Sequence, residues 1–83
     1  MNKYISTFYT NYGAVKFHRD CQKRMIPAKP MPVPRRLSAS CGTCVQFEVS
    51  FLDINRDQED LEACYLVLAD GKYRKELQGD GHP

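Results

Sequence analysis

Four cysteines, Cys21, Cys41, Cys44 and Cys64, are the residues of this chain best suited to covalent chemistry. Two of them stand three apart in RRLSASCGTCVQFE, residues 35–48, behind two arginines and at the mouth of an alternating stretch. A thiol reacts as its thiolate, and nearby positive charge favours that form. Arg35 and Arg36 supply the charge, and Arg35 is expected to be the main influence on Cys41. Ser38 and Ser40 add hydroxyls, and Gly42 permits a tight turn in which successive amide N–H groups converge on an anion. The candidate site is therefore Cys41 and Cys44 with Arg35, Arg36, Ser38, Ser40 and Gly42 as anion-binding groups. It suits a reactive cysteine or a bound anion. The same Ser, Gly and Cys would also serve a plain β-turn, so that reading stays open.

The cysteine pair has three chemical readings. A zinc site needs four ligands, and a second Cys-x-x-Cys or His pair is missing. His18 and Cys21 stand three apart on an expected helix, but Cys21 belongs to its apolar stripe and His82 lies in the tail. No metal is expected. A thioredoxin-like pair sits at a helix N-terminus, whereas this one precedes a strand. What remains is a thiol, Cys41, that is attacked or loaded, with Cys44 as the candidate resolving thiol. Cys21 and Cys64 read as small buried hydrophobes. No phosphate-binding glycine loop, carboxylate pair or Ser/His/Asp arrangement can be made out.

The chain that must position this site has 83 residues and a formal net charge of +2. That length allows one domain, read as residues 1–78, followed by a flexible tail over 79–83. The near balance of charge gives no reason to expect nucleic acid or an acidic membrane as a partner. The first residues, MNKYISTFYTNYG, lack the apolar core of a secretory signal, and no apolar run approaches the ~18 residues of a membrane span. A cytoplasmic location with reduced thiols is expected.

Residues 3–10, KYISTFYT, read as a strand. Thr10 or Asn11 can cap a helix whose apolar stripe is Ala14, Phe17, Cys21 and Met25, ended by Ile26-Pro27. Residues 27–34 carry four of the five prolines and can be an edge strand at best. Residues 43–51 alternate, with Val45, Phe47, Val49 and Phe51 facing the core and Cys44, Gln46, Glu48 and Ser50 facing away. Leu61, Cys64, Tyr65 and Leu68 suggest a second helix closed by Asp70-Gly71. KYRKELQ reads as a charged edge strand. The order β-α-β-β-α-β predicts an α+β ferredoxin-like sandwich, with a four-stranded antiparallel sheet and two helices on one face.

Residues 31–47, MPVPRRLSASCGTCVQF, resemble the core motif of the selenium/sulfur carrier-like family, short bacterial proteins long catalogued as a domain of unknown function. Pro32-Val33-Pro34-Arg35 and Ser40-Cys41-Gly42 match it position by position, and the order of elements elsewhere agrees loosely. The resemblance implies a cysteine carrying sulfane sulfur or selenium, and that role falls on Cys41. It implies a shuttle rather than an enzyme, without a cofactor beyond the covalent persulfide or selenium itself. Its partners would be a protein donor of the cysteine desulfurase type and an acceptor enzyme. Two positions depart from the motif: Arg36 stands where an acidic residue is more usual, and Cys44 is not one of its fixed elements.

Two functions follow from these readings. One is a sulfur or selenium carrier working through Cys41. The other is a small ferredoxin-like binding or regulatory module whose Arg-Ser-Cys-Gly loop holds an anion or a partner, with Cys41 incidental.

Overall fold

The aromatic and β-branched run near the N-terminus forms the middle of the fold. In the computed structural model, which describes residues 1–37, 39 and 41–80, strand β1 (Asn2–Phe8) is followed by helix α1 (Asn11–Lys23) and strands β2 (Ala28–Pro32), β3 (Thr43–Val49), β4 (Leu61–Val67) and β5 (Tyr73–Gln78). The five strands make one sheet in the order β2-β3-β1-β4-β5. All neighbouring pairs are antiparallel. β1 and β2 both run against β3 and so are parallel to each other. The connection through α1 leaves a gap between them that β3 fills.

Residues Phe8, Phe17, Phe47 and Tyr4 form a chain of ring contacts with centroids 5.5, 5.2 and 5.6 Å apart. Phe17 thus pins α1 to β1 and β3, and Ala14 and Cys21 extend the same buried stripe. Burying an aromatic residue in such a cluster is worth roughly 2–3 kcal/mol before its ring geometry is counted. The helix begins as its residues dictate. Thr10 is the N-cap, its Oγ1 accepting from the Gly13 amide at 3.0 Å. The same hydroxyl donates to the Asp60 carboxylate at 2.6 Å, which ties the helix start to the segment before β4. Gly13 is required there, because a Cβ would lie 2.7 Å from the Asp60 Cβ.

The ferredoxin-like expectation is contradicted, and the fold is mostly β. Among the described residues there are five strands and one helix, not four strands and two helices, and the stretch read as a second helix is β4. The spacing misleads because of a bulge. Thr7 pairs with Ala63 but Phe8 pairs with Leu61, so Glu62 is an extra residue in the ladder. Leu61 and Cys64 therefore share the core face at a spacing of three, as they would in a helix, while Leu66 resumes the two-residue period. Asp70-Gly71 closes no helix; it is the hairpin turn from β4 to β5, with Gly71 at φ 84° and the Lys72 amide bonded to the Asp70 carboxylate at 3.0 Å.

In place of the second helix, residues 53–60 run back along α1. Arg24 pairs with Asp53 at 3.2 Å near the end of the helix, and Lys16 pairs with Glu59 at 2.9 Å nearer its start. Leu52, just before this segment, and Ile54 within it pack against the core. The proline-rich strand β2 lies at one sheet edge and the charged β5 at the other, where missing or solvated ladder bonds are tolerated. In the stretch read as a tail, the Gly79 amide bonds to Glu62 O at 3.0 Å and the Asp80 amide to Arg56 O at 2.7 Å. Residues 81–83, with His82, lie outside the described residues.

Two residues expected in the core are outside it. β3 ends at Val49, and Phe51, two residues on, is 72% exposed. α1 ends at Lys23, and Met25 follows it in the left-handed region (φ 58°), 90% exposed. The Ile26 amide bonds to Cys21 O and the Met25 amide to Gln22 O, a Schellman closure whose left-handed position normally holds glycine. A side chain there costs about 1–2 kcal/mol.

Candidate functional site

The loop joining β2 to β3 presents the cysteine pair. Pro32 is opposite Thr43 in the ladder, and just beyond it the Val33 amide bonds to Gly42 O at 3.1 Å, clamping the mouth of the loop. At the other end of the loop, the Leu37 amide bonds to Pro34 O at 3.0 Å, so Arg35 and Arg36 sit at the corner of a turn. Both are exposed. Neither guanidinium has a hydrogen-bond or ion-pair partner among the described residues. Gly42 has φ 73°, the left-handed conformation the turn requires.

That turn swings Cys41 inward over the end of β1. Its Sγ lies 3.1 Å from the carbonyl oxygen of Phe8 and 3.3 Å from that of Thr43, and it packs against the hydrophobic core while remaining partly exposed. Both neighbours are acceptors, so the thiol is held by donating its S–H. Phe8 is two residues before the N-cap of α1, which puts the sulfur where the central strand, the helix start and the hairpin loop meet. Neither backbone carbonyl has a side-chain signature, so no residue type announces these contacts.

Cys44 is three residues on and differently placed. It pairs with Thr7 across the ladder, on the sheet face away from the Val45 and Phe47 side chains, as the alternation predicts. It is nevertheless completely buried, with Sγ 3.7 Å from Pro32 O. Burial, followed by the nearby Cys41, pushes its pKa up to about 11. Burial likewise pushes Cys21 and Cys64 up to about 11, although Arg24 pulls Cys21 down somewhat and the Ser6 hydroxyl does the same for Cys64. Cys21 is in α1 and Cys64 in β4, both part of the core. Ser38 and Ser40, read as anion-binding hydroxyls, lie outside the described residues. The four cysteines are free. Among the described residues no group of three or more His, Cys, Asp and Glu side chains could hold a metal ion. Nor is any helix there long and apolar enough to cross a membrane.

The site thus keeps together Cys41, Gly42 and the mouth of the loop, with the arginines at the loop's outer corner. A family model described as "Putative Se/S carrier protein-like" matches residues 3–69, which run from β1 through β4 and include the whole loop. The chain belongs to that family. No curated protein and no solved structure matches it. Within this Se/S carrier-like chain, one thiol of the four is open to a reagent. Iodoacetamide at neutral pH is expected to label Cys41 first, by a wide margin over Cys21, Cys44 and Cys64, as read by peptide mass mapping of a short pulse. Faster labelling of Cys21 would mean that the reactive thiol lies elsewhere.

Proposed function

We propose that the chain carries sulfur or selenium as a persulfide or selenopersulfide on Cys41. The observation that carries the reading is the contrast among its thiols: three are sealed in the core and one sits at a loop mouth. Its membership of a Se/S carrier-like family supports the same assignment. In loading, the Cys41 thiolate attacks the outer sulfur of a donor protein's persulfide, and the donor cysteine leaves as a thiolate. In delivery, an acceptor nucleophile attacks the outer atom on Cys41, and Cys41 leaves as a thiolate. The atom moves at the sulfane level throughout, so neither step needs an oxidant or reductant. The donor is of the cysteine desulfurase type and the acceptor an enzyme that incorporates the chalcogen, both in a reducing, cytoplasmic setting. Arg35 and Arg36, exposed and unpaired among the described residues, offer positive charge to an anionic partner surface, and the backbone of the Gly42 turn offers hydrogen bonds to the anionic terminal atom.

Cys44 can act as a resolving thiol only after the β2–β3 end opens, because it is buried with its pKa near 11. Its thiolate would then attack Cys41 Sγ, forming a disulfide and expelling hydrosulfide or hydroselenide. Cys44→Ser is expected to leave loading of Cys41 and delivery to an added thiol unchanged. Only spontaneous release without added thiol should slow, as followed by sulfide trapping. Loss of loading in this variant would contradict the division of roles.

A further inference from the structure

The sulfur of Cys41 sits where the central ladder gives out. The pairing of β1 with β3 ends at Thr7 opposite Cys44. The next residues along the two strands are Phe8 and Thr43, and Sγ lies 3.1 and 3.3 Å from their carbonyl oxygens. A carbonyl oxygen only accepts, so both contacts depend on the single proton of the thiol.

Loading takes that proton away from Sγ. In a persulfide or selenopersulfide the bond to hydrogen is replaced by a bond to the outer atom, about 2 Å long in the sulfur case. Sγ then meets the two oxygens with lone pairs alone. A proton on the outer atom lies one bond too far out to serve them. An ionised outer atom brings negative charge towards two acceptors, which repel it.

We infer that the carbonyls of Phe8 and Thr43 are a positioning pair, which holds the empty thiol in and turns the loaded sulfur out towards the acceptor. The inference rests on the carrier reading of Cys41 and adds how that thiol distinguishes its two states. The side chain can turn while the loop mouth stays closed. The Val33 amide on Gly42 O, at 3.1 Å, fixes the backbone beside it. Space is open there as well, since a side-chain carbon placed on Gly42 meets no described residue within 4 Å. Cys41 is already partly exposed, so rotation about its Cα–Cβ bond between staggered positions carries the outer atom into solvent. After delivery the Cys41 thiolate takes a proton from water and returns to its seat, which withdraws it from back-transfer.

Carbonyl-carbon NMR resonances of Phe8 and Thr43 in the full chain test the inference. The loaded state is represented by the product of Cys41 with methyl methanethiosulfonate. The Cys41 thiolate attacks the sulfenyl sulfur, methanesulfinate leaves, and a methyl disulfide with no proton on Sγ remains. Both resonances are expected to move upfield in this adduct and in Cys41→Ala, and to stay near their wild-type positions in Cys41→Ser, which keeps a donor. Reduction of the adduct by dithiothreitol should run within about tenfold of the same disulfide in a short peptide, because the outer sulfur is exposed. Unmoved resonances in the adduct, or reduction more than about tenfold slower than in the peptide, would overturn the positioning pair. So would a shift in Cys41→Ser as large as in Cys41→Ala, because the proton would then not be what the carbonyls read. The adduct is made chemically, so such a failure leaves the carrier reading standing. Failure of Cys41 to take sulfur from a persulfide would remove that reading without altering these signals.

Discussion

Replacing Cys41 with serine is expected to abolish loading of sulfur or selenium while leaving the fold in place. The serine hydroxyl can still donate to the carbonyl of Phe8 or Thr43, which now hold the thiol at 3.1 and 3.3 Å. The loop mouth is clamped independently, by the Val33 amide on Gly42 O. Stability should therefore change by less than about 1 kcal/mol, the usual scale for a partly exposed site whose hydrogen bonds survive. Loading should fall to the background of the buried thiols, more than about a hundredfold below wild type, since Cys21, Cys44 and Cys64 combine burial with unfavourable ionisation. Intact mass after incubation with a low-molecular-weight persulfide reads both species. Equal loading of the variant and the wild type would remove the carrier function, leaving the loop as an anion-holding turn.

Raising the pH is expected to unfold the protein between about pH 9 and about pH 11 through the same buried thiols. Cys21, Cys44 and Cys64 each have pKa values raised from 9.0 to about 11 in the folded chain, burial being the first cause for all three. In the unfolded chain they lose their protons near the ordinary value, so above it the folded state binds more protons. Stability is then fully present below about pH 9 and declines as pH rises towards 11. Each thiol contributes roughly 2–3 kcal/mol to that decline. Together they rival the ~5–15 kcal/mol that hold a small domain folded. Tyr65, whose pKa burial also raises, acts in the same direction. Urea midpoints measured from pH 7 to pH 11 should be flat at first and then fall. A midpoint independent of pH across that range would show that the core thiols are not sealed as described.

How much of this was legible depended on whether the local pattern was interrupted. β1, α1 and β3 follow regular periods with clear caps and breakers, so Thr10, Ala14, Phe17, Val45 and Phe47 could be placed from their types and spacing. The proline-rich segment could be placed at an edge because proline cannot donate to an interior ladder. β4 could not be recognised, since a bulge at Glu62 gave Leu61 and Cys64 a helical spacing and the segment is rich in helix-forming residues. The alternation that marked β3 also ran on past its end, which carried Phe51 into the expected core though the strand stops at Val49. Met25 was misplaced for a similar reason, because the stripe's spacing continues through a residue that has already left the helix. At the site, Cys41 and the Gly42 turn were legible from side-chain chemistry. The acceptors that hold the sulfur were not, since they are backbone carbonyls brought in from a distant strand. Nor does local alternation reveal burial of Cys44, because a residue facing away from the helix can still be covered.

The central claim is that Cys41 bears the transferred atom. Its most direct test is peptide mapping of the wild-type chain after exposure to a persulfide or selenopersulfide donor, followed by desalting without reductant. The carrier assignment predicts a single adduct of about +32 Da for sulfur or about +80 Da for selenium, confined to the peptide containing Cys41 and removed by added thiol. An unmodified Cys41, or an adduct spread evenly over Cys21, Cys44 and Cys64, would contradict it.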